Sequence, residues 1–353
     1  MTTSSRTPLV HAAARRVATA RPMMRAIVQH GYGRPDQVLR LEDVATPTAR
    51  ENEVVIRVHA AAIHVGDVVG VTGEPIIARL ALGLTEPKRR VPGTDVAGTV
   101  VDVGAAVTRL HPGDEVFGWC DAAFAQYACA PADHFVAKAS SLTWEQAAAL
   151  GVSAWSALQL LRHRFQPRDS VLINGASGGL GSFAVQIARA FGAEVTAICS
   201  TGNVDVVRSL GATHVIDYTE EDFTAGEERY DYILDNVGNH SLSRLRRRLN
   251  AGGVLQSNNG TAGGRWFGTL GTVIRTAALS RLTHRQAPPS IRVPTREDLV
   301  AVKQLVDSGK VTPLIDTRFA LADAAEALLH VAEGHARGTL VLTVEAAAIP
   351  TSA

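Results

Sequence analysis

The chain has 353 residues, of which 46% are hydrophobic and 20% charged, and its formal net charge is +1. This length and composition predict a globular protein with a large core and two domains, and the balanced charge gives no reason to expect nucleic acid as a partner. The three cysteines, Cys120, Cys129 and Cys199, match no Cys-rich zinc motif and cannot all pair, which favours a reducing cytoplasm.

Residues 1–23 differ in composition from the rest of the chain. They contain four arginines and several serines and threonines but no acidic residue. We predict a disordered basic extension there, which a later start at Met23 or Met24 would remove. A mitochondrial transit peptide has the same composition and is the alternative.

From residue 25 to residue 137, short apolar or alternating runs are separated by Gly, Pro and Asp, which predicts a compact β domain. These runs are RAIVQHGYG, QVLRLEDV, NEVVIRVHAAAI, DVAGTVVDVG, DEVFGW and AAFAQYACAP. Residues 143–162 are rich in Ala and Leu and are predicted to be helical. The domain boundary is expected close to them.

The most informative stretch is VLINGASGGLGSFAVQIARAFGAEVTAICST, residues 171–201. Its apolar run, glycine turn, helical spacing and second apolar run predict one βαβ unit. Ala176, Gly178 and Gly181 fit the three positions of G-x-G-x-x-G, where small residues let a pyrophosphate approach a helix N-terminus. We therefore predict a dinucleotide site rather than a purely structural turn, and assign to it Ala176, Ser177, Gly178, Gly179, Leu180 and Gly181. The turn also excludes a membrane span from this uncharged region.

The end of the second strand of this unit bears on the choice of cofactor. NAD enzymes usually place Asp or Glu there to bind the ribose 2′-hydroxyl, whereas this chain has CSTGN at residues 199–203. No carboxylate would repel a 2′-phosphate, and the hydroxyls of Ser200 and Thr201 could bind one. The sequence favours NADPH, with NADH as the alternative.

Residues 236–296 contain ten arginines and no acidic residue. Apolar residues between 266 and 277 have helical spacing, as in a basic amphipathic helix. A substrate handle, a 2′-phosphate clamp, a membrane-surface contact and a solvated face beside a pocket or dimer contact all remain open. The helices DLVAVKQLVDSG and LADAAEALLHVAEG and the strands LIDTRF and GTLVLTV are predicted after this stretch.

Several of these motifs together resemble the medium-chain dehydrogenase/reductase superfamily, and most of all its zinc-free quinone oxidoreductase or zeta-crystallin-like branch. The motifs are GTDVAGTVVDVGAAVTRLHPGDEVFG, GASGGLGSFAVQIARAFGAEV, RSLGATHVIDYTEEDF, GKVTPLID and GHARGTLVLTV. The resemblance implies an α/β protein with a Rossmann doubly wound parallel sheet domain, a GroES-like β domain and a homodimer. The expected division is a basic extension (1–23), a GroES-like catalytic domain (24–147 and 296–345), a Rossmann domain (148–295) and a tail (346–353).

The resemblance also implies further cofactor contacts. A tyrosine of the family that flanks the adenosine end corresponds to Tyr218. Two loops that lie against the nicotinamide correspond to Asn236, Val237 and Gly238, and to Asn258 and Asn259. The Arg or Lys that similar sequences place near residues 202 and 203 is absent here.

Zinc ligands can be compared position by position. The catalytic Cys and the His of the GHE motif in zinc alcohol dehydrogenases correspond here to His64 and Thr94, so we predict no catalytic metal. His64 and Asp67 stand where this branch has an Asn-Pro-x-Asp segment that faces the nicotinamide. His64 is therefore predicted to be a polar pocket residue, either a proton donor or a hydrogen-bonded, partly buried histidine. The tyrosine often found two positions after that Asp is Val69 here.

The sequence thus predicts a zinc-independent, NAD(P)H-dependent oxidoreductase that transfers hydride to a quinone or an α,β-unsaturated carbonyl. Positioned hydrogen-bond donors would replace a metal in stabilising the charge that develops on the substrate. The alternatives are a carbonyl or alcohol oxidoreductase of the same fold and, outside enzymes, a nucleotide-binding sensor or structural protein. The expected partners are a small-molecule substrate and a second copy of the chain, without nucleic acid or membrane contact.

Overall fold

A computed structural model describes residues 22–258, 292–334 and 336–345. Within these ranges the chain forms a five-stranded sheet, a seven-stranded sheet and a two-stranded sheet. Residues 1–21 of the predicted basic extension, Asn259, most of the acid-free stretch (residues 236–296) and the tail lie outside the described residues. Met23, which the prediction placed in the extension, instead begins the first strand.

Elements of the described residues are numbered in chain order. The strands are β1 (Met23–Gln29), β2 (Leu39–Ala45), β3 (Glu53–Ile63), β4 (Asp95–Val103), β5 (Glu115–Trp119), β6 (Tyr127–Pro131), β7 (Phe135–Ala137), β8 (Ser170–Asn174), β9 (Glu194–Cys199), β10 (His214–Asp217), β11 (Tyr230–Asp235), β12 (Leu249–Ser257), β13 (Ile315–Ala320) and β14 (Thr339–Thr343). The helices are α1 (Pro35–Val38), α2 (Val65–Thr72), α3 (Arg79–Leu82), α4 (Trp144–Ala149), α5 (Val152–Leu161), α6 (Gly179–Ala190), α7 (Val204–Ser209), α8 (Leu242–Arg247), α9 (Arg296–Asp307) and α10 (Ala324–Glu333).

The five-stranded sheet is parallel throughout, with the order β10-β9-β8-β11-β12. The first of these strands along the chain, β8, is central, and the chain winds outward from it in both directions, as in a Rossmann domain. Helix α6 packs on β8, β9 and α5 and buries Phe183, Ala184 and Ile187. A ligand crevice is expected at the carboxyl ends of β8 and β11, where the strand order reverses.

The seven-stranded sheet has the order β13-β14-β3-β4-β5-β7, with β6 paired to β3. Strand β14 runs antiparallel to β3 and parallel to β13, so the C-terminal part of the chain completes a sheet begun near the N-terminus. The two sheets confirm the predicted α/β class, a Rossmann domain combined with a GroES-like β domain.

Helix α2 interrupts the β domain, for which the sequence pattern predicted strands and turns. A reciprocal capping box starts it: His64 Nδ1 accepts the Gly66 N–H at 2.9 Å, and the Asp67 carboxylate accepts the His64 N–H at 3.0 Å. Gly73, at φ +63°, ends it. A His-x-x-Asp cap lies outside the Ser/Thr-x-x-Glu signature by which such starts are recognised.

The predicted helical segment 143–162 is two helices, α4 and α5, separated at Leu150 and Gly151. Helix α4 packs on β3 and β4 of the seven-stranded sheet, which is called the catalytic sheet below. Helix α5 packs on α6 of the Rossmann domain. The chain therefore crosses from one domain to the other at this break. Among the described residues, no helix has the length and the hydropathy needed to cross a membrane.

Candidate functional site

The glycine turn joins β8 to α6 at the carboxyl edge of the parallel sheet. Gly175 has φ +78°, a conformation that favours glycine, and a Cβ on Gly181 would lie 2.0 Å from the Gly175 carbonyl oxygen. Ala176 is fully buried, and its N–H donates to the Ile198 carbonyl at 3.0 Å. The sharp bend therefore depends on Gly175, which the motif comparison passed over.

Gly178 has no such packing constraint. Its φ is −75°, and among the described residues the nearest atom to the position of a Cβ on it is the Gly175 carbonyl oxygen at 3.7 Å. Space beside this residue is therefore open, and the N–H groups of the first turn of α6 follow it. This opening at a helix N-terminus fits the pyrophosphate of a dinucleotide.

Polar side chains meet at the ends of β8, β11 and β12. Asn174 Nδ2 donates to the Asp235 carboxylate at 2.9 Å, and the same carboxylate accepts the N–H groups of Val237 and Gly238 at 3.2 and 3.0 Å. Asn236 Nδ2 donates to the Asn174 carbonyl at 3.1 Å. The loop predicted to face the nicotinamide is thereby held against the strand that carries the glycine turn.

Asn258 extends this network to the end of β12. Its Nδ2 donates to Asn236 Oδ1 at 3.1 Å, and its N–H donates to the Asp235 carbonyl at 2.8 Å. Four of the five predicted nicotinamide residues, Asn236, Val237, Gly238 and Asn258, are thus adjacent. Asn259 lies outside the described residues. Asn174 and Asp235 were not predicted, although a polar residue that ends a buried apolar strand is the signal by which they could have been found.

The predicted adenosine residues lie along the same edge of the sheet, after β9 and β10. Asn203 Nδ2 donates to Ser177 Oγ and to Ser200 Oγ, both at 3.1 Å, and so connects the glycine turn to the end of β9. Hydrogen bonds from Thr201 and Thr219 to the Asp217 carboxylate lower its pKa. Tyr218 follows with 53% of its surface exposed.

A cation stands beside Gly202, where the local sequence offers none. Arg337 Nη2 lies 3.2 Å from the position of a Cβ on Gly202, and the Arg337 N–H donates to the Asp316 carboxylate at 3.0 Å. Arg337 belongs to the segment before β14, more than a hundred residues from Gly202 and outside the acid-free stretch. The position of Arg337 in the sequence therefore gives no sign that it lies near the end of β9.

The segment that carries Arg337 continues across the glycine turn. The Gly338 N–H donates to the Ser177 carbonyl at 2.8 Å, and Gly338 forms a parallel bridge with Gly178. Leu340 then pairs with Ile63, the last residue of β3. The β3–α2 corner with His64 is therefore brought close to the turn.

At that corner both nitrogens of His64 point to protein atoms. Nδ1 accepts the Gly66 N–H, so the imidazole proton is on Nε2. Nε2 is buried, has no hydrogen-bond partner among the described residues, and lies 3.5 Å from an Asp67 carboxylate oxygen. Only 16% of the His64 side chain is exposed. This placement matches the partly buried, hydrogen-bonded histidine of the sequence analysis more closely than a proton donor directed at substrate.

Two buried carboxyl groups accompany His64. Burial raises the pKa of Asp67, against the opposing effect of His64 and of hydrogen bonds from the His64 backbone and the Thr94 side chain. Burial also raises the pKa of Asp95 to about 7; Asp67 adds to this rise, and His64 and the Val152 N–H oppose it. The corner therefore contains two buried carboxyl groups whose charged forms are disfavoured by burial.

Known proteins match most of the chain. Two family models match it, described as "Alcohol dehydrogenase GroES-like domain" over residues 50–141 and "Zinc-binding dehydrogenase" over residues 210–342. The mouse (Mus musculus) protein named "NAD(P)H oxidoreductase RTN4IP1, mitochondrial" is 33% identical, with 91% of this chain and 89% of the relative covered. This chain belongs to the medium-chain dehydrogenase/reductase superfamily. Within that superfamily its place is the zinc-free quinone oxidoreductase branch.

Two further relatives support this branch. The spinach (Spinacia oleracea) protein named "Quinone-oxidoreductase homolog, chloroplastic" is 30% identical, with 92% of this chain and 99% of the relative covered. A solved structure of the quinone oxidoreductase from Coxiella burnetii superposes with a TM-score of 0.80 at 30% identity, covering 92% of this chain and all of that one.

One of the two matched descriptions names zinc. Its match, residues 210–342, does not include His64 or Thr94, which occupy the ligand positions. Among the described residues, no three His, Cys, Asp or Glu side chains are grouped as a metal site. Zinc independence of this chain stays a prediction from its substituted ligand positions.

Proposed function

We propose that this protein is a zinc-independent, NAD(P)H-dependent reductase of quinones or of α,β-unsaturated carbonyl compounds. The observation that carries the proposal is the glycine turn, which has open space at Gly178. The segment with Gly338 crosses this turn and continues into β14, which pairs with β3 next to the β3–α2 corner. Relatives of similar length are named as a quinone oxidoreductase homologue and, in Arabidopsis thaliana, "NADPH-dependent alkenal/one oxidoreductase, chloroplastic".

The residues of this chain would bind and orient the two reactants. The turn from Ala176 to Gly181 would hold the pyrophosphate, and the network around Asn236 and Asn258 would fix the nicotinamide loop. When bound, the reduced nicotinamide supplies a hydride. Hydride addition to the β-carbon of an enone, or to a quinone, leaves a substrate oxyanion that backbone and side-chain donors can stabilise.

NADPH is the reductant that the adenosine end fits better. Ser200 and Thr201 directly precede Gly202 in the sequence and carry hydroxyl groups. The Arg337 guanidinium beside Gly202 adds a cation that could form charge-assisted bonds with a 2′-phosphate. The Asp217 carboxylate, which accepts a hydrogen bond from Thr201, would repel a second anion nearby. We therefore propose a preference for NADPH that is moderated by Asp217, with NADH as a weaker substrate.

The test is oxidation of each nicotinamide, followed by absorbance, with quinones, enones, aldehydes and ketones as acceptors. We expect steady NADPH oxidation with quinones or enones. Turnover with saturated aldehydes or ketones alone would favour the carbonyl oxidoreductase instead. Tight cofactor binding without turnover on any acceptor would favour the nucleotide-binding sensor.

We also propose a cytoplasmic homodimer, following the resemblance and the cysteine content. Relatives named as mitochondrial or chloroplastic make the compartment worth testing. Light scattering on the purified protein gives its mass, and fluorescent fusions with and without residues 1–22 separate an inert extension from a transit peptide. Import that depends on residues 1–22 would overturn the cytoplasmic assignment.

A further inference from the structure

Asp95 is a buried carboxyl group at the junction of the two domains. It begins β4 of the catalytic sheet and is only 1% exposed. Its Oδ2 accepts the N–H of Val152 at 2.8 Å, and Val152 is the first residue of α5. One carboxylate of the catalytic sheet thus caps a helix that packs on the Rossmann domain.

The contact is close enough to dictate the neighbouring residue. A Cβ on Gly151 would lie 2.1 Å from Asp95 Cγ, so that only glycine lets the carboxyl group approach the helix end. On the other side of the helix end, Ser153 Oγ lies 3.4 Å from the position of a Cβ on Gly179, the first residue of α6. Asp95 is therefore connected through the first turn of α5 to the cofactor turn.

Asp95 is also close to the β3–α2 corner. In the sheet Asp95 pairs with Ala62, two residues before His64. The β3–α2 corner is consequently joined through β4 and Asp95 to the first turn of α5, which lies beside the start of α6.

We propose that Asp95 is a positioning residue, whose hydrogen bond to the first amide of α5 sets the distance between the cofactor turn and the catalytic sheet. This inference rests on the proposed hydride transfer, because that reaction needs donor and acceptor atoms about 3–3.5 Å apart. A displacement of about 1 Å can cost on the order of a hundredfold in rate.

Two substitutions of similar size separate the hydrogen bond from the charge. In Asp95→Asn the amide oxygen still accepts the Val152 N–H, whereas Asp95→Leu leaves that N–H without a partner. We expect Asp95→Leu to lower kcat roughly tenfold to a hundredfold with little change in the KM for NADPH. The primary isotope effect from deuterated NADPH should rise, because the hydride step becomes slower. Asp95→Asn should stay within a few-fold of wild type.

Asp114→Leu is the matched control. The Asp114 carboxylate also accepts a backbone N–H, from His111 at 2.8 Å, but in an exposed turn. We expect unchanged kcat and an unchanged isotope effect. If Asp95→Leu does not fold, Gly151→Ala provides a second way to displace the carboxyl group, and Asp95→Asn remains decisive.

Amide hydrogen exchange without substrate gives a second readout. Asp95→Leu should accelerate exchange at residues 152–153 and at residues 178–181, whereas Asp95→Asn should not. Asp95→Asn as impaired as Asp95→Leu, or Asp95→Leu with normal exchange and kcat, would overturn the proposal. If wild type reduces no acceptor, the proposed function fails, while the exchange comparison still decides the role of Asp95.

Discussion

Glycine is needed for different reasons at different positions of the glycine turn, and the motif alone does not distinguish these reasons. Gly175 and Gly181 are required by the backbone, since one has positive φ and the other touches the carbonyl of the first. Gly178 has open space around it among the described residues, so a bound pyrophosphate is the constraint that we expect there. The sequence predicted the turn correctly from spacing, but φ angles and close approaches depend on three-dimensional geometry.

The first prediction uses that difference. Gly178→Val should fold, because the protein leaves room for a side chain, but it should weaken NADPH binding by about tenfold or more where the pyrophosphate would approach. Fluorescence titration and thermal unfolding measure the two effects. Gly70→Val is the control, because Gly70 is in α2 and no atom of the described residues lies within 4 Å of its Cβ position. Equal NADPH affinity in folded Gly178→Val would mean that the site is misplaced.

Asp95 supports a second prediction at the same scale. Its folded-state pKa of about 7 is above the usual range for Asp, so the folded protein holds this proton more tightly than the unfolded chain does. The resulting stability is fully present below the unfolded pKa and is lost as pH rises through about 7. Asp95→Asn should reduce the fall in unfolding free energy between about pH 5 and pH 8 by up to about 3 kcal/mol. Urea unfolding at both pH values tests this, and an unchanged pH dependence would contradict it.

Among secondary-structure elements, regular periodicity was predictable, and so was the start at Thr143, but the histidine cap of α2 was not. The βαβ unit from β8 to β9 appears where its apolar runs and glycines predict it. Helix α2 was missed because it is only 8 residues long and starts at a histidine cap. The break before α5 was missed because glycine is required at residue 151 by the close approach of Asp95, a residue distant in sequence.

The cap of α2 gives a prediction with a control in the same helix. A Cβ on Gly66 would lie 2.6 Å from His64 Cε1, so Gly66→Ala should displace the imidazole and cost about 1 kcal/mol of stability through the lost cap. Gly70→Ala should instead stabilise the protein by roughly 0.4–1 kcal/mol, because no atom of the described residues obstructs its Cβ. Chemical unfolding of both variants is the measurement. Equal effects of the two changes would show that the His64 cap is energetically unimportant.

At the scale of the whole molecule, the site is made where distant parts of the chain meet. The segment before β14 crosses the glycine turn and continues into the sheet beside β3. The resemblance predicted this return to the first domain, and the structure shows what the return brings with it. Arg337 could not be placed from sequence, since no local pattern connects it to Gly202.

The substituted ligand positions predict that the protein works without zinc. Because His64 and Thr94 occupy positions of zinc ligands, the purified protein should contain no stoichiometric zinc and should keep full activity in a chelator. Elemental analysis and activity after dialysis against the chelator check both statements. One tightly bound zinc per chain, with activity lost on its removal, would refute the prediction.

The choice between NADPH and NADH tests how the two domains cooperate. If Arg337 binds the 2′-phosphate, Arg337→Met should weaken NADPH binding by roughly tenfold, because an exposed charge-assisted bond is lost, and should leave NADH nearly unchanged. Lys310→Met is the control: it removes a cation from the cavity near residues 209–211, which precede β10 and so lie at the opposite edge of the parallel sheet.

Gly202→Arg distinguishes a filled cation site from a missing one. A side chain at residue 202 must displace the Arg337 guanidinium, which lies 3.2 Å from the Cβ position. The substitution then exchanges one cation for another, so NADPH affinity should change little, and Gly202→Arg combined with Arg337→Met should recover much of what Arg337→Met loses. Titration of both cofactors against the four proteins measures this. If Gly202→Arg alone raised NADPH affinity tenfold or more while Arg337→Met had no effect, Arg337 would not be the phosphate-binding cation and the end of β9 would lack one.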